Sequence, residues 1–291
     1  MAYATREDIT ARVRATFDAC PSQRLKEVMT TLVDHLHGFA RETGLTRQEW
    51  LLGVDFLFRA GQISDAARNE FMVLSDALGL TALVELMEDA DEERTPTNNL
   101  GPFYVEEVPT LPFNADLRGD RPGTPMLLRG RVLGADGEPI PGASINLWQT
   151  QHDGRYDVQV PGLDEYRYRG WLRTDPQGVY QVRTIKPVGY TAPMDGPVGQ
   201  MLRATARSPW RPAHVHFLIR AAGHRPLITE VYPQDTPHLE DDVAFGPRAA
   251  LVVAPVEVRD RDEGARVGLS VPFVKLEFDF KLSPAEPGSE R

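Results

Sequence analysis

Apolar residues recur every three or four positions up to about residue 90, and beyond residue 102 they recur at every second position between turn residues. The first spacing predicts helices and the second predicts strands. Ile9, Val13 and Phe17 predict a short helix after Thr5, a candidate N-cap. Leu25, Val28, Met29, Leu32 and Leu36 predict an amphipathic second helix. Thr46 followed by Glu49 reads as a capping box for a third helix through Trp50, Val54 and Phe58. Ile63-Ser64 reads as staple and N-cap of a fourth helix carrying Phe71, Leu74 and Leu78, closed at Gly79. Leu83, Leu86 and Met87 predict a short fifth helix, and the acidic, then polar segment 87–99 reads as a linker.

Strands are predicted at Leu127–Leu133, Ser144–Gln149, Val179–Ile185, His214–Ala221, Leu227–Val231 and Leu251–Val258. Val274, Leu276, Phe278, Phe280 and Leu282 alternate with Lys275, Glu277, Asp279 and Lys281, the pattern of a strand buried on one face. Proline sharpens the division: Pro21 stands alone in the first ninety residues, whereas prolines recur every few positions after residue 102. The expected fold class is α+β, with a helical domain over 1–98 and a mainly antiparallel β-sandwich over 99–291. No internal repeat is visible, and the tail from Pro284 reads as disordered.

Composition narrows the function classes. The 291 residues carry 42 Asp+Glu against 32 Lys+Arg, a formal charge of −10, which argues against a sequence-independent grip on nucleic acid. Cys20 is the single cysteine, so an internal disulfide framework and a multi-thiolate metal site are excluded. No stretch has the apolar length of a membrane span, and the first residues lack a signal-peptide core, so a soluble cytoplasmic protein is expected.

Two residue types carry candidate chemistry. His214 and His216 flank Val215 in a predicted strand, so both imidazoles share one face while Val215, Phe217 and Ile219 share the other. Such a pair suits one metal ion, and a structural pair has the same pattern. Tyr104, Tyr156 and Tyr190 follow glycine or proline punctuation in predicted loops, and a phenolate is a hard oxygen donor suited to ferric iron. A tyrosine with a buried ring and a surface hydroxyl has that placement too.

The combination resembles the intradiol ring-cleaving dioxygenases. The run LLRGRVLGADGEPIPGASINLWQTQHDGRY (Leu127–Tyr156) follows that family's signature of strand, Gly-Pro turn, second strand ending in Trp, then Gly-x-Tyr. GPFY (Gly101–Tyr104), GYTAPMDGPVGQML (Gly189–Leu202) and RPAHVHF (Arg211–Phe217) are similar to further family motifs in the same order. The helices, including EFMVLSDALGL (Glu70–Leu80), resemble the helical domain of the catechol and hydroxyquinol branch. Asn146 stands where the signature usually has an acid, Thr150 where alanine is usual, and Asn99 where relatives often have an aliphatic residue.

The resemblance implies one non-haem Fe(III) per subunit, held by Tyr156, Tyr190, His214 and His216 in the β-sandwich catalytic domain. It implies insertion of both atoms of O2 into an aromatic diol to give a muconate-type diacid. Hydroxyquinol (benzene-1,2,4-triol) is the expected substrate, with catechol or a chlorocatechol as the alternative. Tyr190 is expected to leave the metal as the diol binds, and Arg211 to stabilise charge developing on the ring. Val73, Asp76, Asn99, Gly101, Pro102, Phe103, Ala192, Pro193, Arg211 and Ala244 match substrate-lining positions, and Asp76 suits a third ring hydroxyl. Relatives pair through the N-terminal helices around a lipid tunnel, which implies a homodimer with bound phospholipid. Two further readings stay open from the residues alone: a non-catalytic β-sandwich binding module, and a zinc hydrolase built on His214 and His216.

Overall fold

A computed structural model describes residues 3–65, 68–89, 94–163 and 165–285. Residues 90–93 of the expected linker and 286–291 of the expected tail lie outside the described residues. The chain forms two compact units, residues 1–59 and 60–291.

The first unit holds α1 (Ile9–Ala15), α2 (Gln23–Glu42) and most of α3 (Arg47–Ile63). Thr5 caps from a distance: its hydroxyl accepts from Asp8 N at 3.3 Å, and Asp8 Oδ1 accepts from Thr5 N at 2.7 Å. The helix proper starts only at Ile9 and ends before Phe17, which sits in the following turn. Ser22 caps α2 by accepting from Leu25 N at 3.2 Å. The capping box of α3 forms as its spacing predicts, with Thr46 N donating to Glu49 Oε2 at 2.8 Å and Glu49 N donating to Thr46 Oγ1 at 3.2 Å. On α2 the stripe Leu25, Val28, Leu32 and Leu36 is exposed.

The second unit adds α4 (Glu70–Ala77), α5 (Leu80–Glu88), α6 (Pro197–Ala204) and α7 (Arg261–Val267). Ser64 is not the cap of α4. Asn69 is, because its amide oxygen accepts from both Phe71 N and Met72 N, at 3.1 and 3.2 Å. Ser64 instead closes α3 on Ala60 O at 2.7 Å and accepts from Glu70 N at 3.0 Å.

In chain order the strands are β1 (Ala115–Asp116), β2 (Pro125–Leu133), β3 (Ser144–Gln149), β4 (Arg169–Arg173), β5 (Val179–Ile185), β6 (Tyr190–Thr191) and β7 (Trp210–Arg211). There follow β8 (Val215–Arg220), β9 (Leu227–Pro233), β10 (Val252–Val253), β11 (Val256–Val258), β12 (Phe273–Glu277) and β13 (Phe280–Lys281). One sheet runs β1-β5-β2-β12-β11 with β13 also on β2, and the other runs β10-β9-β8-β3-β4. Strands β6 and β7 form a separate ribbon. Antiparallel pairs predominate, but β1–β5, β9–β10, β2–β12 and β2–β13 are parallel, so the sheets are mixed. Long connections make parallel pairing possible there.

Two expected strands are split. Leu251–Val258 becomes β10 and β11, which join different sheets, with Pro255 between them where no ladder hydrogen bond can be donated. The C-terminal alternation breaks at Phe278-Asp279. Phe278 O accepts from Tyr180 Oη at 2.8 Å, and Asp279 accepts from Arg131 N at 2.8 Å and from its guanidinium.

The layers meet on one apolar core. Met126 and Leu128 of β2, Val182 of β5 and Leu276 of β12 face Ile145 and Leu147 of β3 and Val215, Phe217 and Ile219 of β8. The other face of the second sheet is buried too, around Trp148, Tyr156 and Leu218. Phe217 is fully buried against Tyr180 and Phe280. Phe217→Ala is therefore expected to cost about 3–5 kcal/mol in a urea titration; a loss below 1 kcal/mol would show that the layers do not share this core.

Candidate metal centre

Directly opposed residues of an antiparallel sheet point to the same face. In the second sheet Trp148 of β3 lies opposite His216 of β8 and Arg169 of β4, and His216 lies opposite Glu230 of β9. Arg169, Trp148, His216 and Glu230 thus make one row across four strands, each of them buried. The indole lies flat on the His216 ring, centroids 4.8 Å apart and planes 6° apart. His214 stands one residue before β8, its Nδ1 2.8 Å from Pro212 O. That carbonyl accepts only from a protonated Nδ1, which leaves Nε2 with a free lone pair.

Tyr156 is delivered by the loop after β3. It caps a 3-10 turn, Asp157–Gln159, and its own N donates to Gln159 Oε1 at 2.9 Å. Its hydroxyl ends 3.3 Å from His214 Nε2 and 3.1 Å from His216 Nε2, which are 3.1 Å from each other. Tyr190 enters on the β6–β7 ribbon, paired with Arg211. Its ring is perpendicular to that of Tyr156 at 5.6 Å and lies 5.7 Å from the His214 ring. Gly189 lets this ribbon close, since a Cβ there would meet Arg211 O at 2.7 Å. Thr150 ties in the same segment, exchanging hydrogen bonds with Val188 O and Val188 N at 3.0 and 3.3 Å.

Atoms held about 2 Å from one centre are themselves about 3 Å apart, so Tyr156 Oη and the two Nε2 atoms suit a single metal ion. Burial lowers the pKa of both imidazoles, so they are neutral donors near pH 7. Burial raises both phenols above their ordinary range, so a metal must displace their protons to bind them. His214, His216 and Glu230 also offer ligand atoms within 4.8 Å of one another. Glu230, however, spends its oxygens on Arg211 and Tyr232. The phenol is the better third donor.

Known proteins answer the question of family. The profile described as "Dioxygenase" matches residues 100–284, and that described as "Catechol dioxygenase N terminus" matches residues 22–95. The chain is 42% identical to 6-chlorohydroxyquinol 1,2-dioxygenase of Cupriavidus pinatubonensis, over 95% of this chain and 97% of the relative. It is 37% identical to an intradiol ring-cleavage dioxygenase of Aspergillus niger, over 98% of this chain and 87% of the relative. The chain belongs to the intradiol ring-cleaving dioxygenases. The solved hydroxyquinol 1,2-dioxygenase of Pseudomonas putida DLL-E4 superposes with a TM-score of 0.89 at 36% identity, covering 96% of this chain and 99% of that one.

In this intradiol dioxygenase Arg211 is a buried hub. Its Nη1 and Nη2 donate to Glu230 Oε1 and Oε2 at 3.1 and 2.8 Å, and Nε and Nη2 donate to Asp242 Oδ1 and Oδ2 at 3.2 Å. Its Nη1 is 3.4 Å from His214 Nε2. Burial opposes the guanidinium charge, but Asp242 and Glu230 outweigh it and raise the pKa further. Burial likewise opposes the Glu230 carboxylate, and Arg211 with the two imidazoles holds its pKa far below the usual range. Glu230 Oε1 also sits 3.2 Å from His216 Nδ1, a close contact without an aligned hydrogen bond.

Part of the expected substrate wall comes together. Asp76, Asn99, Gly101 and Pro102 line a cavity of about 260 Å³ with Asp65, Arg68, Asn69 and Met72. Asn99 Nδ2 donates to Asp76 Oδ1 at 2.9 Å and Asn99 Oδ1 accepts from Gly101 N at 2.8 Å. Gly101 has φ +72°, and a Cβ on it would stand 3.1 Å from His216 Cε1, so this cavity-lining residue packs directly against the histidine. Phe103 stacks on Tyr156 at 4.5 Å. Val73, Ala192 and Ala244 are buried and Pro193 half-buried, but none of the four lines that cavity. Asn146 points elsewhere, donating to Val105 O at 3.2 Å.

Glu230, Asp242 and the Asp157–Arg169 pair are absent from the sequence reading, and Trp148 enters it only as the end of a strand in the family signature. A glutamate between Ile228 and Tyr232 in an apolar strand was the available signal for Glu230. Arg211→Leu would strand two buried carboxylates, and is expected to cost about 3–5 kcal/mol at pH 7. The low native pKa of Glu230 means that its stabilisation is present above the ordinary glutamate range and fades as pH falls below it. The penalty measured by urea titration should therefore be smaller at pH 3, well below the ordinary glutamate value, than at pH 7; an equal penalty at both would show that charge is not its origin.

Proposed function

We propose that this intradiol dioxygenase cleaves hydroxyquinol between its adjacent hydroxyl-bearing carbons, at one non-haem Fe(III) held by Tyr156, Tyr190, His214 and His216. The observation that carries the reading is the buried meeting of Tyr156 Oη with two imidazole Nε2 atoms at 3.1–3.3 Å. Ferric iron held by this oxygen and nitrogen donor set would supply Lewis acidity toward an aromatic diol and its reaction with O2.

The chain's own groups divide the remaining work. Tyr156, fully buried and fastened through its backbone, is the permanent phenolate. Tyr190, half-buried on a two-residue ribbon, would be the second phenolate donor, and its Oη would be the atom that accepts a substrate hydroxyl proton. Arg211 is fixed by two carboxylates before substrate arrives, so its charge is preorganised where negative charge develops on the ring. Phe103, stacked on Tyr156, excludes water beside the phenolate. Asp76 addresses the third hydroxyl, with Asn99 Nδ2 fixing its carboxylate through Oδ1. Burial raises the Asp76 pKa, which suits a group meeting a neutral hydroxyl in a closed cavity.

Iron-replete protein should show the visible absorption of tyrosinate-to-iron charge transfer and turn over hydroxyquinol faster than catechol. Tyr156→Phe should lose most of that absorption and at least about 100-fold in kcat. Colourless iron-replete protein would sink the ligand assignment. Faster turnover of catechol or a chlorocatechol would move the substrate to that branch.

We also propose a cytoplasmic homodimer that pairs through the helices of the 1–98 domain and holds phospholipid. The exposed apolar stripe of α2 supports the pairing, and no helix among the described residues is long and apolar enough to cross a membrane. Leu32→Arg with Leu36→Arg should halve the mass in sedimentation equilibrium while the absorption spectrum persists; an unchanged mass would place the interface elsewhere.

A further inference from the structure

We propose that Arg169 is a positioning residue for Tyr156, one guanidinium that fixes both the ligand's loop and the aromatic ring packed on its face. This rests on the reading of Tyr156 as an iron ligand.

Arg169 opens β4 opposite Trp148, at the far end of the row that contains His216. Its side chain is 1% exposed and that of Asp157 is 3% exposed. Nε donates to both carboxylate oxygens of Asp157 at 2.8 Å, and Nη2 donates to Oδ1 as well. Asp157 directly follows Tyr156, and its carboxylate also accepts from Val158 N at 2.9 Å and Arg167 N at 3.0 Å. The remaining arm, Nη1, crosses to Phe103 O at 2.8 Å. Phe103 is the residue whose ring lies on Tyr156, centroids 4.5 Å apart and planes 26° apart. It is also edge-on to Tyr190 at 6.4 Å.

A buried ion pair is a poor way to gain stability, since its desolvation cancels much of its attraction. Its advantage is direction. The planar fork fixes three acceptors at once, two on the loop that delivers the phenolate and one on the segment that walls the cavity. A functional group must be held within about 0.5 Å of its working position, and Tyr156 has no strand of its own to hold it. The second arm has a separate consequence: displacing Phe103 disturbs the substrate wall together with the ligand.

The test uses the full-length, iron-loaded protein with Arg169→Lys, which keeps the charge and loses the fork. Arg173→Lys, near the exposed end of the same strand, serves as the control. Per bound iron, R169K should show a shifted charge-transfer maximum, kcat lower by about 10–100-fold and a raised KM for hydroxyquinol. R173K should match the unmodified protein in all three. R169K with unchanged absorption and kinetic constants per iron would overturn the proposal, even if its melting temperature falls. Should R169K not fold, Asp157→Asn carries the same expectation and the same refutation. Absence of the band from the unmodified iron-replete protein would instead refute the ligand assignment, so the two failures are distinguishable.

Discussion

A titratable group taken out of water must be given a partner, and this constraint shapes the site face of the second sheet. Arg211 is buried among donors that a metal would use, and it is tolerable there because Glu230 and Asp242 share its charge. Asp242 in turn accepts from Ala244 N and Gly246 N at 3.1 and 3.0 Å, so the same network shapes the 242–246 segment. Asn98 donates to Gly246 O at 2.8 Å and links that segment to the residues leading into the cavity. One charge requirement thus organises several loops.

The sandwich makes this arrangement possible by using the two faces of one sheet differently. Toward the first sheet, β3 and β8 present Ile145, Leu147, Val215, Phe217 and Ile219, a dry core that sets their spacing. On the other face the same strands present Trp148 and His216 in register. The rigidity of the apolar layer is passed to the polar one through the backbone they share. Tyr156 and Tyr190 arrive on irregular segments and are fastened locally, Tyr156 by its 3-10 cap and Tyr190 by the β6–β7 pairing. The result is a fixed pair of imidazoles beside two phenols of unequal burial.

Much of this was legible in the chain because it depends on neighbours in sequence. The capping box at Thr46 and Glu49 forms as its three-residue spacing requires. The shared orientation of His214 and His216 follows from strand alternation. The N-cap of α4 was misplaced at Ser64 because a serine before an apolar run has the right local pattern, while Asn69 lies closer to the free N–H groups. The expected strand Leu251–Val258 was divided because Pro255 marks the place where the chain passes between sheets.

The sequence by itself determined the element types, since periodicity is a property of short segments, and its resemblance to the intradiol dioxygenases supplied the four candidate donors. Tertiary structure alone decided which charges stand behind those donors. Glu230 meets His216 through the β8–β9 register, Asp242 reaches Arg211 across 31 positions, and Arg169 holds Asp157 and Phe103, the latter 66 positions away. Those partners are set by strand register and loop closure, which join residues distant in the chain and leave no periodic trace within it.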